Sequence, residues 1–248
     1  LGTSEPTPPI LERPSLPSPT IKVITSPPSS KKTTGILIVV PYRDDEDHIR
    51  RSHMKQFTRY MNNFLKPSNI PYKILIIEQS KDDRLFNRGM LLNIGYVLGK
   101  EDDIPYSHVI THDIDLIPQE TLLPYYTGLP KSPLHIGWLW ERYRVFEEYF
   151  GGIVSMKMRH YEKVNGYPNR YWGWGGEDDD FKARVALNKL TVLRPDPTVG
   201  QIHDLEEMEY EEKKKVLKER GELNEKQWEN MSIATKVWKQ DGLSNLQY

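Results

Sequence analysis

The 248 residues carry 34 basic and 35 acidic side chains and no cysteine. That balance leaves no nucleic-acid footprint, and the missing thiols exclude disulfides, thiolate metal sites and cysteine nucleophiles. No apolar run approaches the roughly 20 residues of a membrane span, and the length suits one large α/β domain or two small ones.

Residues 1–34 hold eight of the 19 prolines among many Ser and Thr, so they are expected to form an extended or disordered linker. Order is expected from Gly35. Ile36 to Val40 is a continuous, largely β-branched run, the pattern of a buried strand, and it exits at Pro41-Tyr42-Arg43. Asp44 or Asp45 is expected to cap a helix with Ile49, Met54, Phe57, Met61, Phe64 and Leu65 on its apolar face. Tyr72 to Ile77 reads as a second buried strand ending in Glu78-Gln79. Phe86-Asn87-Arg88-Gly89 then opens a helix carrying Met90, Leu91, Ile94, Val97 and Leu98. A third strand, His108 to Thr111, runs into His112-Asp113-Ile114-Asp115. The order β-α-β-α-β predicts an α/β fold with a mostly parallel, Rossmann-like central sheet flanked by helices. Ligands of such sheets lie beyond the carboxyl ends of the strands, where Arg43, Gln79, Arg88, Asp113 and Asp115 fall.

After Pro118 the chain turns aromatic, with further strands expected at His135 to Leu139 and Gly152 to Met156 and a helix at Lys157 to Asn165. Trp172-Gly173-Trp174-Gly175-Gly176-Glu177-Asp178-Asp179-Asp180 follows. Its glycines allow tight turning and close approach to a ligand, its indoles suit sugar rings, and its carboxylates offer acceptors, a general base or metal ligands. The acidic run is also a good start for the helix expected over 178–190, stabilised by the helix dipole. Beyond it come a short strand at Thr191 to Leu193, the segment Gln201-Ile202-His203-Asp204, and a charged helix over 205–220 with Glu209–Lys213 and Glu211–Lys215 at pairing distance.

In an extended segment Asp113 and Asp115 point the same way and can address one cation or sugar hydroxyl, though a turn with a satisfied aspartate has the same pattern. A nucleotide diphosphate calls for a divalent ion there. An added imidazole from His203 would make a mixed Asp/His set of the kind that suits manganese, although a lone histidine is usually no ligand. Arg43 and Arg88 suit phosphate or a base edge through planar donation, and either could instead be an ordinary ion pair.

Phe86-Asn87-Arg88, His112 to Leu116, Tyr149-Phe150-Gly151-Gly152, Asn165 to Asn169, Tyr171 to Asp180 and Asp241-Gly242-Leu243 occur in an order that resembles the β-1,4-galactosyltransferases, glycosyltransferase family 7. The likeness covers residues 35–248. It implies a single GT-A catalytic domain over that range and an inverting, Mn²⁺-dependent transfer of galactose from UDP-galactose to the 4-hydroxyl of a terminal GlcNAc, Glc or Xyl. By the resemblance, Asp115 and His203 hold the metal, and Pro41, Arg43, Phe86, Arg88, Asp113, Tyr149, Gly152 and Trp174 serve the donor. Gly175, Gly176, Glu177, Asp178, Asp179 and Trp228 serve the acceptor, with Glu177 and Asp178 catalytic and Asp178 the base. Trp174 would ride a mobile loop. Tyr149 favours galactose over N-acetylgalactosamine.

The sequence departs from the family at Gly200 and Gln201, where relatives place a third metal ligand, and it lacks the disulfides of secretory-pathway members. Two alternatives accompany the reading: an N-acetylgalactosaminyltransferase, and an inactive carbohydrate-binding paralogue. The partners implied are a nucleotide sugar and a glycan, with no nucleic acid. The family also implies a type II enzyme of the Golgi lumen, with 1–34 as stem and its membrane anchor outside this chain. The absence of cysteine keeps a cytosolic location as the rival.

Overall fold

The computed structural model describes residues 20–25, 34–44 and 48–248. Its elements, in chain order, are β1 (Thr20–Thr25), β2 (Gly35–Tyr42), α1 (Ile49–Leu65), β3 (Tyr72–Glu78), α2 (Arg88–Lys100), β4 (Tyr106–His112), β5 (Leu116–Pro118), α3 (Leu123–Thr127), β6 (Leu134–His135), β7 (Ile153–Lys157), α4 (Met158–Lys163), α5 (Glu177–Leu187), β8 (Ile202–Asp204), α6 (Tyr210–Glu219) and α7 (Gln227–Val237). No helix among the described residues is long and apolar enough to cross a membrane.

Six strands form one sheet in the order β1-β3-β2-β4-β7-β6, and β5 pairs with β8 in a small second sheet. All eight residues of β2 are buried, as expected of a central strand covered on both faces. Ile36, Ile38 and Val40 point into a core with Phe57, Met61 and Phe64 of α1. Leu37 and Val39 point the other way, against Leu91, Leu92 and Ile94 of α2. Gly95 and Gly99 face the sheet and let helix α2 pack directly against it. A Cβ at Gly95 would sit 2.2 Å from Val39 Cγ1, and one at Gly99 2.4 Å from Leu37 Cδ2.

The α/β expectation holds, but the sheet is mixed. Only β3-β2-β4 are parallel, and β1, β7 and β6 run antiparallel to their neighbours. After β4 the chain returns through α3, whose Tyr126 O lies 2.8 Å from His108 Nε2 near the start of that strand. It rises again in the short β6, so that β7, which follows β6 through 3-10 turns, runs the opposite way. The Asp113 N–H donates to Gly152 O at 3.0 Å and joins the two ends.

The expected linker contains a strand. Thr20–Thr25 pairs with β3 from Thr20↔Glu78 to Thr25↔Lys73. Ile21, Val23 and Ile24 lie in a proline-free window between Pro19 and Pro27, a β-favouring island that the surrounding prolines mask. The remainder of 1–34, apart from Thr34, and Asp45 as a cap, lie outside the described residues. Asp44 does not cap α1. Its carboxylate instead accepts from Tyr42 Oη (3.0 Å), His48 Nδ1 (3.0 Å) and Arg51 Nη2 (2.6 Å).

Of the strand expected at His135 to Leu139 only the first residue belongs to β6, and Ile136–Leu139 is a 3-10 turn. Thr191 to Leu193 contributes only a bridge, Leu134↔Leu193. In the charged segment, Lys213 pairs with Glu206 and Lys215 with Glu219, in place of the pairs read from spacing.

Candidate functional site

The site is assembled at the carboxyl edge of β2, β3 and β4. At the end of β2, Pro41 is a buried member of the strand, and the following Arg43 donates from Nη1 to Arg84 O at 2.9 Å, with its guanidinium 5.6 Å from the Phe86 ring centre. Beyond β3, Gln79 braces the next loop, donating to Leu85 O and accepting from the Asn87 N–H. Asn87 caps α2 by accepting from the Met90 N–H at 2.9 Å, which makes Arg88 the first helical residue.

Arg88 is the hub. Its Nε donates to Asp113 Oδ1 at 2.7 Å and its Nη1 to Asp178 Oδ1 at 2.8 Å, while Glu177 Oε1 lies 3.7 Å away. The ion-pair reading of this arginine and the site reading therefore coincide. Its Nη2 is buried with no hydrogen-bond partner among the described residues, an unused donor beside the same carboxylates.

Asp178 and its neighbours arrive on α5. Gly173 N–H donates to Phe86 O, Trp174 N–H to Glu222 O, and the Asn224 N–H to Trp174 O. Gly175 (φ 115°) and Gly176 (φ 94°) take backbone conformations that disfavour any side chain, and Gly176 is the N-cap. Four carboxylates then occupy the first turn of α5, where the helix dipole favours them. They part by surroundings. Asp180 is fully buried, paired with Arg170 and Arg184 and bonded by Tyr171 Oη at 3.1 Å. Asp179 is exposed. Glu177 and Asp178 face Arg88. Burial pushes the Asp178 carboxyl well above its ordinary range, Arg88 pulls it down, and Glu177 and Asp113 add to the rise. Burial likewise raises Glu177.

Tyr149 stacks on Tyr143 with ring centres 4.2 Å apart. Gly152 has φ 73°, and a Cβ there would approach Tyr149 Oη to 3.1 Å. Trp174 leans on Tyr210 at 6.0 Å, and Tyr210 in turn meets Tyr143 at 5.6 Å. The structure thus brings Arg88, Asp113, Tyr149, Gly152, Glu177 and Asp178 together.

Pairing of β5 with β8, Leu116↔Asp204 and Ile117↔His203, carries the second expected metal position to Asp115. The carboxylates of Asp115, Asp204 and Glu206 lie within 4.8 Å of one another. His203 is exposed and is not a member of that carboxylate group. It lines, with Trp140, Arg142 and Asp204, a cavity of about 550 Å³. Burial first, then Glu206, Asp113 and Asp204, push Asp115 up to about 7. Arg142 pairs with both Asp204 and Glu206. Sequence reasoning missed Arg142, Glu206 and the role of Asp204. The one local signal was Asp204-x-Glu206 directly after His203, which repeats the spacing of Asp113-x-Asp115.

Trp228 stands apart from this assembly. It is 78 % exposed on α7, while its neighbour Gln227 lies against the small loop. A Cβ at Gly176 would meet Gln227 Cγ at 2.8 Å.

Two family models match the chain. One, described as the N-terminal region of glycosyl transferase group 7, covers residues 17–127, and the other, described as the N-terminal domain of galactosyltransferase, covers 135–209. The chain is 33% identical over 226 residues to β-1,4-galactosyltransferase 4 of Cricetulus griseus and 28% identical to human β-1,4-galactosyltransferase 2, covering 90% of this chain in each case. It spans 60% and 56% of the length of those relatives. Among solved structures, the catalytic domain of Drosophila β1,4-galactosyltransferase 7 in complex with xylobiose superposes with TM-score 0.69 at 28% identity, covering 87% of this chain and 85% of that one. A mutant of that enzyme in complex with manganese, UDP-Gal and xylobiose gives 0.68 at 26%, with the same coverage. The fold is the GT-A glycosyltransferase fold, and the chain belongs to the β-1,4-galactosyltransferase family, glycosyltransferase family 7.

Proposed function

We propose that this chain is the catalytic part of an inverting β-1,4-galactosyltransferase that moves galactose from UDP-galactose to the 4-hydroxyl of a terminal GlcNAc, Glc or Xyl. The observation that carries the reading is the Arg88 bridge, which ties the donor-side Asp113 to the acceptor-side Asp178 in one half-buried hydrogen-bonded unit.

Asp178 is the base. One of its oxygens is held by Arg88, so the carboxylate is oriented before substrate arrives. Burial raises its proton affinity, with Arg88 opposing the rise, and a stronger base takes a hydroxyl proton more readily. It takes the proton of the acceptor hydroxyl as that oxygen attacks C1 of galactose from the face opposite UDP, which gives inversion in a single displacement. Glu177 and the Gly175–Gly176 backbone border the acceptor, with Asp179 at its rim. Arg43, Phe86 and the Pro41 end of β2 border the nucleotide, Arg88, Asp113, Tyr149 and Gly152 the galactose, and Trp174 the cover over the donor.

The oxygen-rich group of Asp115, Asp204 and Glu206, with the His203 imidazole on the adjoining strand position, fits a divalent cation of the manganese type. Such a cation, when bound, stabilises the charge that develops on the departing UDP. Arg142, close to the same carboxylates, adds a fixed positive charge for the diphosphate. Localisation in the Golgi lumen accords with the family and is part of the proposal.

The test is UDP release with Mn²⁺, from UDP-galactose and from UDP-N-acetylgalactosamine, across β-linked GlcNAc, Glc and Xyl acceptors. Acceptor-dependent release from UDP-galactose, lost with EDTA, is expected. No release above donor hydrolysis with any acceptor would sink the reading, and a preference for the N-acetylated donor would sink the role of Tyr149.

A further inference from the structure

We infer that His135 is a positioning residue for the transfer, fixing the Gly151 peptide on which the Asp178 carboxylate and the Tyr149 ring both bear. The inference rests on the galactosyl-transfer reading above.

His135 closes β6 and is fully buried. Its Nε2 lies 2.9 Å from Gly151 O. A carbonyl can only accept, so Nε2 carries the proton and donates. That leaves Nδ1 as an acceptor, and it is buried with no hydrogen-bond partner among the described residues. Burial holds the imidazole down at about 3, so the ring stays neutral and its tautomer is set by Gly151 alone. An orphaned buried acceptor costs stability. For packing alone a phenylalanine would serve better at this position, which points to a use for the single N–H.

The carbonyl that receives this bond belongs to a residue pressed from the other side. Gly151 has no positive φ, so its backbone would tolerate a side chain. Its surroundings would not: a Cβ would fall 2.1 Å from Asp178 Oδ2, 2.7 Å from Tyr149 Cε2 and 2.8 Å from Tyr149 Oη. The base and the ring assigned to donor choice therefore both lie directly on the Gly151 backbone. Behind it, a Cβ at Gly137 would meet Gly151 O at 2.3 Å and His135 Nε2 at 3.0 Å, so the missing side chain there is what lets imidazole and carbonyl meet. The His135 ring also stands edge-on to Tyr149 and Phe150, with centroids 5.4 and 5.2 Å away. One buried N–H thus sets the height of the Tyr149–Gly152 segment against Asp178.

The experiment compares His135→Phe, which keeps an aromatic ring without the donor, with His135→Gln, whose amide N–H can take the place of Nε2. For the Phe variant kcat with UDP-galactose should fall about tenfold or more, the cost of a small displacement at the reacting centre, with KM for the donor changed less than about threefold. The ratio of UDP-N-acetylgalactosamine to UDP-galactose use should rise as Tyr149 loosens, and Tm should be little changed. The Gln variant should recover most of kcat. A Phe variant with wild-type kcat and donor ratio overturns the inference, as does an equal loss in both variants that tracks a fall in Tm. If the Phe variant does not fold, His135→Met, also lacking the N–H, replaces it in the same comparison. Absence of galactosyl transfer by the wild-type chain would overturn the functional reading, and this inference with it, before any variant is compared.

Discussion

Arg88 holds Asp178 by a 2.8 Å hydrogen bond from Nη1 to Oδ1. The contact spans 90 residues of sequence and joins the first turn of α2 to the first turn of α5. An asparagine at 178 still offers Oδ1 to that N–H, so Asp178→Asn preserves the geometry and removes only the basicity. UDP binding, measured by calorimetry with Mn²⁺, should stay within about threefold of wild type, while transfer falls by at least about 100-fold, as expected for loss of a general base. Normal turnover by this variant would mean that another group takes the proton.

The pH dependence of the metal-free protein should report Asp115. Its carboxyl is raised to about 7, chiefly by burial, so the folded chain keeps a proton that the unfolded chain releases near pH 4, to a first approximation. The stabilisation from this group is complete below that pH and is lost as pH rises through about 7. Asp115→Asn removes the titration. Without metal, the Tm of the variant relative to wild type should therefore climb between about pH 4 and about pH 8, and Mn²⁺ should close the gap by binding wild type. Parallel pH profiles of the two proteins would contradict the burial of Asp115.

What could be read in advance was what depends on neighbours in sequence. The Ile36–Val40 run, the turn chemistry of Gly175-Gly176 and the acidic start of α5 are local, and they placed a strand, a loop and a helix where they are found. The Asp115 cluster is different in kind. It exists because three residues of β8 pair with three of β5 across some 86 positions, and nothing within either short stretch encodes that register. His203 could be singled out by residue type, but only the tertiary structure shows that Asp204 and Glu206 lie beside Asp115. Trp228, expected at the acceptor, is left in solvent by the turn of α7, which lays Gln227 against the loop. Arg142 lies in an irregular aromatic stretch whose path is set by tertiary contacts rather than by periodicity.

The two acidic residues at the end of the first turn of α5 have different fates, and stability should reveal it. Asp180 is fully buried between Arg170 and Arg184, and Arg184 also donates to Asp241 O at 2.7 Å. Removing one member of such a network leaves buried charge uncompensated, at a cost of about 3–5 kcal/mol. Asp180→Ala should accordingly shift the urea midpoint strongly downward and loosen the Asp241–Leu243 tail. Asp179→Ala, at an exposed position, should shift it by less than about 0.5 kcal/mol. Equal effects would show that the carboxylates do not divide as described.

Strand β1 makes a prediction that separates a docked edge strand from a linker lying near one. Its side chains alternate: Ile21 and Val23 are exposed by 40 % and 52 %, while Ile24 is half-buried and packs against the core under β3. Lys22 reaches Glu78 at 3.2 Å and the Tyr42 ring at 4.9 Å, which sets its side of the sheet. An aspartate at 24 would have to be solvated at the expense of packing, whereas one at 23 meets water already. Ile24→Asp should therefore lower stability by about 1–2 kcal/mol, and Val23→Asp should leave the urea midpoint nearly unchanged. A linker without register would treat the two positions alike. Because a one-residue slip exchanges the two faces, the opposite order of effects would assign β1 a shifted pairing with β3, and the described register would have to be abandoned.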